Sequence, residues 1–214
     1  MKKFNIYQIT TLLLAAAFIA LAYSKVGTKN ETSMNTKSAV LENIHSRKSV
    51  RKYMEGKSVS KEDLLTLVKA GMAAPSAKNI QPWEFIIISD RAVMSSLAEQ
   101  LPYAKMLTQA PAAIVPCGNM DFAPTDTKLP LLWYLDCAMA SQNILLAAEA
   151  MGLGAVYTAA YPYEDRMNAV SSALSLSKNI IPLCVIPVGY PVGDEKPKDK
   201  WKEEKVRWEK WSVN

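Results

Sequence analysis

Ala73-Ala74-Pro75-Ser76-Ala77-Lys78-Asn79-Ile80-Gln81-Pro82-Trp83-Glu84-Phe85-Ile86-Ile87-Ile88 passes from the end of a helix, through a polar loop, into an apolar strand. Ser60-Lys61-Glu62-Asp63 opens the helix, with Ser60 as N-cap and an acid at the third helical position. Leu64, Leu67, Val68 and Met72 recur at helical spacing, and Pro75 stops the run. Ser76, Lys78, Asn79 and Gln81 fill the loop with polar side chains, and Pro82 stiffens its exit. Trp83 and the run 85–88 predict a short buried strand. A polar loop entering a buried strand is a common place for a binding site.

Upstream, 39–45 predicts a first helix, which leads into Arg47-Lys48-Ser49-Val50-Arg51. Three cations and a hydroxyl this close together suit an oxyanion, because arginine presents a planar fork of donors and serine adds one more. The same spacing also fits a solvated basic turn. Downstream, 91–101 predicts a helix, 112–117 a strand and 121–130 a loop. The clearest helix runs over 131–152, with Leu131, Leu135, Met139, Leu146 and Ala150 on one apolar face and only Asp136 and Glu149 charged. A helix so apolar belongs in a central core or a subunit interface. Residues 153–157 predict a strand, 161–174 an acidic-start helix and 180–190 a last strand. The tail mixes Lys198, Lys200, Lys202, Lys205 and Lys210 with Trp201, Trp208 and Trp211, spaced as one helical face. Exposed tryptophans are costly, so the tail is expected to pack on the core or on a partner subunit.

The 214 residues, half of them hydrophobic, suffice for one domain with a full core. The net charge of +5 comes from scattered lysines, densest near the C-terminus, and makes a poor case for nucleic-acid binding. Cys117, Cys137 and Cys184 form no CxxC pair, and their odd number argues against a disulfide framework. Each lies in an apolar run, as a buried free thiol does. His45 is the single histidine, which leaves no His-rich metal site and no support for a Ser-His-Asp triad. Met1-Lys2-Lys3, the apolar run 9–22 and its Ala20-Leu21-Ala22 end have the pattern of a secretory signal peptide over 1–22. An uncleaved membrane anchor is the alternative, although the run is short for a bilayer span. Residues 23–38 read as a flexible linker and 39–214 as the domain. The expected location is outside the cytoplasm, most simply the periplasm, with no stable membrane association once the leader is cleaved.

Together, Arg47-Lys48-Ser49-Val50-Arg51, Ala74-Pro75-Ser76 with Asn79-Ile80-Gln81-Pro82-Trp83, Gln142-Asn143, Met151-Gly152-Leu153-Gly154 and Val188-Gly189-Tyr190-Pro191 occur in the order seen in nitroreductase-family flavoproteins. From about Val40 to Trp211 the chain resembles a compact member of that family. The resemblance implies an α+β fold with a central, mostly antiparallel sheet flanked by helices. It also implies a homodimer with exchanged C-terminal arms and an FMN site at each end of the interface. Arg47, Lys48, Ser49 and Arg51 match the family's first FMN segment: one cation near the N1–C2=O edge, the others on phosphate and ribityl oxygens. Pro75, Ser76 and Asn79 match the second segment. Thr158, Ala159 and Ala160 match the segment near N5 and O4, and Lys198 or Lys200 matches the late phosphate cation. The interval between Cys117 and Leu131 is short where longer members insert helices over the pocket, so the resemblance carries no particular substrate.

The leading expectation is therefore an FMN-dependent oxidoreductase with ping-pong turnover from NAD(P)H to a nitroaromatic, quinone or similar small aromatic acceptor. The flavin carries the chemistry, so no catalytic side chain and no metal is expected. The alternatives are an exported flavin carrier or redox sensor without turnover, motivated by the leader, and an interaction module that has lost its cofactor.

Overall fold

The computed structural model describes residues 36–122 and 132–211. It divides the chain into two units, Met1–His45 and Ser46–Asn214. The leader, most of the linker and much of the short interval after Cys117 lie outside the described residues. Helix α1 covers 36–46, so helix replaces the last linker residues and starts ahead of Ala39. The compact second unit begins at Ser46 rather than at 39. Among the described residues, no helix is long and apolar enough to cross a membrane.

In the second unit the order is α2 Lys61–Met72, β1 Trp83–Ile88, α3 Arg91–Gln100, β2 Ala112–Asn119, α4 Trp133–Ala150, β3 Gly154–Ala155, β4 Thr158–Ala159, α5 Glu164–Leu174, β5 Ile180–Pro182 and β6 Cys184–Gly189. Side-chain caps set two helix starts, the one at Ser60 as the sequence predicts. Ser60 Oγ accepts from the Asp63 N–H, and Asp90 does the same for Val93 at the start of α3.

The sheet runs β1-β2-β6-β3, with β5 on β2 and β4 on β6, and every described pair is antiparallel. Alternation along β2 and β6 builds two cores on opposite faces. Ile114, Cys184, Ile186 and Val188 point into one core with α2 and α4. Ala113, Val115, Cys117 and Val185 point into the other, with α3 and α5 residues such as Met94, Leu97 and Val170. The fold is α+β, an antiparallel sheet between helical layers.

Four details differ from the sequence reading. First, β1 is an edge strand with a partly exposed middle, because no strand pairs with its outer side. Second, the predicted strand 180–190 is broken at Leu183. The β2–β5 pairs (Cys117 with Pro182) and β2–β6 pairs (Ala112 with Val188) are out of step by one residue, a bulge at Leu183. Leu183 remains bonded, with its N–H to the Pro116 carbonyl and its carbonyl to the N–H groups of Ala160 and Tyr161. Third, the predicted strand 153–157 is two short pieces in one register along β6; the register sets Val156 opposite Pro187, which has no N–H to give. Fourth, the tail is not one helix. It holds a single 3₁₀ turn, Glu203–Lys205, and Trp201, Trp208 and Trp211 remain 72%, 82% and 80% exposed. They do not pack on the core of their own chain.

Helix α4 also turns its faces the other way. Trp133, Cys137, Ala140, Ile144 and Ala148 are buried, while Leu135 and Met139 of the predicted apolar face are 46% and 39% exposed. The helix is apolar on both sides, and only one side is covered by its own chain.

Gly118 shows how tightly α4 meets β2: a Cβ there would stand 2.3 Å from Trp133 Cε3. Gly118→Ala is expected to cost about 1–3 kcal/mol by overpacking and to lower Tm by roughly 2–10 °C in a thermal melt.

Cys117, Cys137 and Cys184 are buried free thiols. Burial pushes Cys117 and Cys184 up to about 12 and raises Cys137 as well. The native protein is therefore expected to resist a thiol reagent at neutral pH until it unfolds. The folded state holds thiol protons that the unfolded chain releases above 9.0, so stability falls as pH rises from 9.0 towards about 12. A denaturant titration at rising pH reads this directly.

Candidate functional site

The basic segment is fixed from both ends. The Val50 N–H donates to the Ala155 carbonyl at 3.1 Å, the Met54 N–H to Tyr190 at 2.9 Å and the Val192 N–H to Lys52 at 3.2 Å. Tyr53, buried, gives its hydroxyl to the carbonyls of Val50 and Pro187 at 3.0 and 3.2 Å. Val50 lies so close over β3 that a Cβ on Gly154 would stand 2.5 Å from its Cγ1. Gly154→Ala is thus expected to push the Arg47–Arg51 segment out of place, and Gly154→Ala with Val50→Ala to restore it; Tm and ligand affinity should fall and recover together.

Glu195 holds the segment's far side. Its Oε1 accepts the N–H groups of Arg51 and Lys52 at 2.8 and 3.2 Å, while Lys52 pairs with Asp194. This brings the C-terminal segment beside the basic cluster. Arg47, Lys48, Ser49, Arg51, Lys196, Lys198 and Lys200 line one pocket of about 380 Å³, with Glu195 as its only carboxylate. Both Lys198 and Lys200 reach it. Lys48 also pairs with Glu149 of α4 at 2.9 Å, so part of its charge is already answered. What remains is a donor-rich cradle suited to a phosphate.

Arg51 also lines a neighbouring cavity of about 520 Å³, together with Leu101, Pro102, Ala104, Lys105, Met106, Tyr157, Thr158, Ala159 and Arg166. This cavity is largely apolar, and among the described residues it carries cations but no carboxylate. The Thr158 hydroxyl is committed to the Val185 carbonyl, which leaves only its oxygen lone pairs for a ligand. Ala160 is buried, with its N–H on the Leu183 carbonyl, and lines neither cavity.

Pro75, Ser76 and Asn79 line neither cavity. Their loop is tied to α4: the Ala77 N–H donates to Oδ1 of Asp136 at 3.1 Å, and Ser76 Oγ accepts from the Gln81 N–H at 3.0 Å. Lys78, Asn79 and Gln81 have φ of 52°, 55° and 54°, a left-handed conformation that is costly for residues with a Cβ. Asp136 is buried, and desolvation raises its carboxyl above the usual range while the Ala77 N–H partly offsets this. The single chain therefore unites the first, third and fourth predicted segments and leaves the second apart.

Sequence reasoning did not find Glu195, Lys196, Lys105, Tyr157 or Arg166. Glu195 acts through backbone groups more than a hundred residues away, and its short-range surroundings give no sign of it. Lys196 lies in the basic run that already pointed to Lys198 and Lys200.

The profile of the Nitroreductase family matches residues 44–101 and 92–190, which include Arg47–Arg51, the Ser76 loop and Thr158 but not the late lysines. The chain belongs to the nitroreductase family. This nitroreductase-family chain is 39% identical over 176 residues to a Methanothermobacter thermautotrophicus protein provisionally named NADH dehydrogenase/NAD(P)H nitroreductase, covering 82% of this chain and 90% of that one. A Bacteroides thetaiotaomicron crystal structure with the same provisional name is 54% identical, with a TM-score of 0.76, over 81% of this chain and 98% of the other. A Desulfovibrio desulfuricans nitroreductase-like structure solved in complex with FMN is 26% identical, with a TM-score of 0.69, over 81% and 98% of the two chains. The family's fold is the one described above.

Proposed function

We propose that the chain is an FMN-dependent NAD(P)H oxidoreductase that acts as a homodimer, reducing a small aromatic acceptor such as a nitroaromatic or quinone. The observation that carries this reading is Arg51, which borders both the basic cradle and the apolar cavity beside Thr158 and Ala159. A ligand with an anionic end and a flat, largely apolar body fits the two compartments in that order. FMN has that form, and the cradle's donors answer its phosphate. Bound there, FMN would supply the hydride-transfer chemistry that links NAD(P)H to the acceptor by ping-pong turnover.

The protein's own part is binding and electrostatics. Arg47, Ser49, Lys198 and Lys200 hold phosphate and ribityl oxygens, and Lys48 adds charge from its place on Glu149. Arg51, carried on backbone anchored by Glu195, would offer a positive charge to the reduced flavin ring. Thr158 and Ala159 form the wall beside the ring. Pro75, Ser76 and Asn79 complete the site from a second copy of the chain, since they line neither cavity of their own. The uncovered face of α4 and the tail tryptophans supply the surface for that copy.

The test is anaerobic. Protein loaded with FMN is mixed with NADH or NADPH, and the flavin absorbance is followed before and after a quinone or nitroaromatic is added. Bleaching followed by recovery is expected. A bound flavin that no nicotinamide bleaches would support the second reading, an exported carrier or redox sensor, which the signal-peptide pattern of 1–22 favours.

A further inference from the structure

Arg166 stands on α5 at the wall of the larger cavity, and its guanidinium is held without being satisfied. It lies 3.8 Å from the ring centre of Tyr163 and 5.7 Å from that of Tyr103, within cation–π reach of both. Its hydrogen bond within the protein is long: Nη1 to the Ala159 carbonyl at 3.4 Å. Its Nε is buried with no acceptor. A guanidinium carries five N–H donors, and leaving a buried charged donor unanswered is costly. Among the described residues no carboxylate lines the cavity to answer it; the other charged groups there are Arg51 and Lys105, both cations.

We propose that Arg166 is a specificity-determining residue that selects acceptors bearing an oxyanion, specifically aromatic carboxylates, over neutral aromatics of the same shape. This rests on the oxidoreductase reading and deepens it by naming the substrate class. Arg51 lies toward the basic cradle and is matched to the cofactor. Arg166 faces the same cavity from α5, away from that cradle's lining, and so remains for a second ligand. Its planar fork of donors suits the bidentate geometry of a carboxylate. The apolar lining from Leu101, Pro102 and Met106 suits the ring that carries it.

The probes are benzoate and its neutral isostere benzamide, titrated calorimetrically into flavin-loaded protein, with 4-nitrobenzoate and 4-nitrobenzamide compared as acceptors. The expected result is at least about tenfold tighter binding of benzoate, and a kcat/KM preference for 4-nitrobenzoate of similar size, both shrinking as salt rises. In Arg166→Gln the benzoate-to-benzamide ratio should fall to near one; in Arg166→Lys a large part of it should return. Melting curves on both variants establish that they are folded. Equal affinity for the two probes in the native protein, or a preference that survives Arg166→Gln, overturns the proposal. So does a change in Arg166→Gln confined to the NADPH-over-NADH ratio, since the oxyanion would then be the donor's phosphate. Flavin content and bleaching by NAD(P)H are measured on the same samples, so failure of carboxylate selection is distinct from failure of the oxidoreductase reading.

Discussion

Arg51→Glu protein should purify colourless. The substitution removes the one side chain common to the phosphate cradle and the ring cavity, and puts a carboxylate where FMN brings negative charge. Losing a charge-assisted hydrogen bond costs about 1.5–3 kcal/mol, and like-charge repulsion adds to it. FMN affinity is therefore expected to fall by at least ~100-fold, read as the Kd from flavin fluorescence quenching. Arg51→Lys keeps the charge but loses the fork, and should fall between the two. The native Arg51 side chain makes only a 3.4 Å contact to the Ser49 carbonyl, so the fold has little stake in it. Tm should hardly move while affinity collapses. A protein that keeps its flavin with glutamate at this position would place the ring elsewhere.

The second large effect is expected on α4. Leu135 and Met139 lie on the face that the chain itself leaves open, opposite the buried Cys137, Ile144 and Ala148. Leu135, Met139 and the tail tryptophans Trp201, Trp208 and Trp211 are all large apolar side chains that the chain leaves exposed, as a surface awaiting a partner does. Leu135→Glu with Met139→Glu should give a monomer by analytical ultracentrifugation, folded but without FMN, because the Ser76 loop of a second copy no longer reaches the cradle. Burying an unpaired carboxylate at an interface costs several kcal/mol, enough to shift a dimer to monomer at micromolar concentration. Loss of flavin without dissociation, or dissociation with flavin retained, would separate the interface from the site.

Much of this was legible in the residues. Ser60 and Pro75 bounded α2 because capping and chain stiffness are local. The cationic run at 47–51 and the late lysines are visible in the sequence as charge, and the fold sets them around one pocket. What the sequence hid was long-range. The apolar stripe of α4 was seen, but a helix apolar all round does not say which side its own chain will cover. The break at Leu183 depends on a one-residue register shift against β2 that no local pattern encodes. The tail tryptophans fit a helical spacing, yet the segment is densely charged and its turn has no side-chain cap, and the described part holds one 3₁₀ turn between irregular stretches. Arg166 has no local signal in the sequence, because its neighbour Tyr103 comes from another element.

Subunit complementation tests the composite site most directly. Arg51→Glu and Ser76→Glu are made separately, each expected to lack flavin, and are then co-expressed. If the cradle of one protomer is completed by the Ser76 loop of the other, mixed dimers carry one doubly damaged site and one intact site. The co-expressed protein should then turn yellow and be bleached by NAD(P)H. If Arg51 and Ser76 serve a site within one chain, every site in the mixture carries a lesion, and the sample stays colourless.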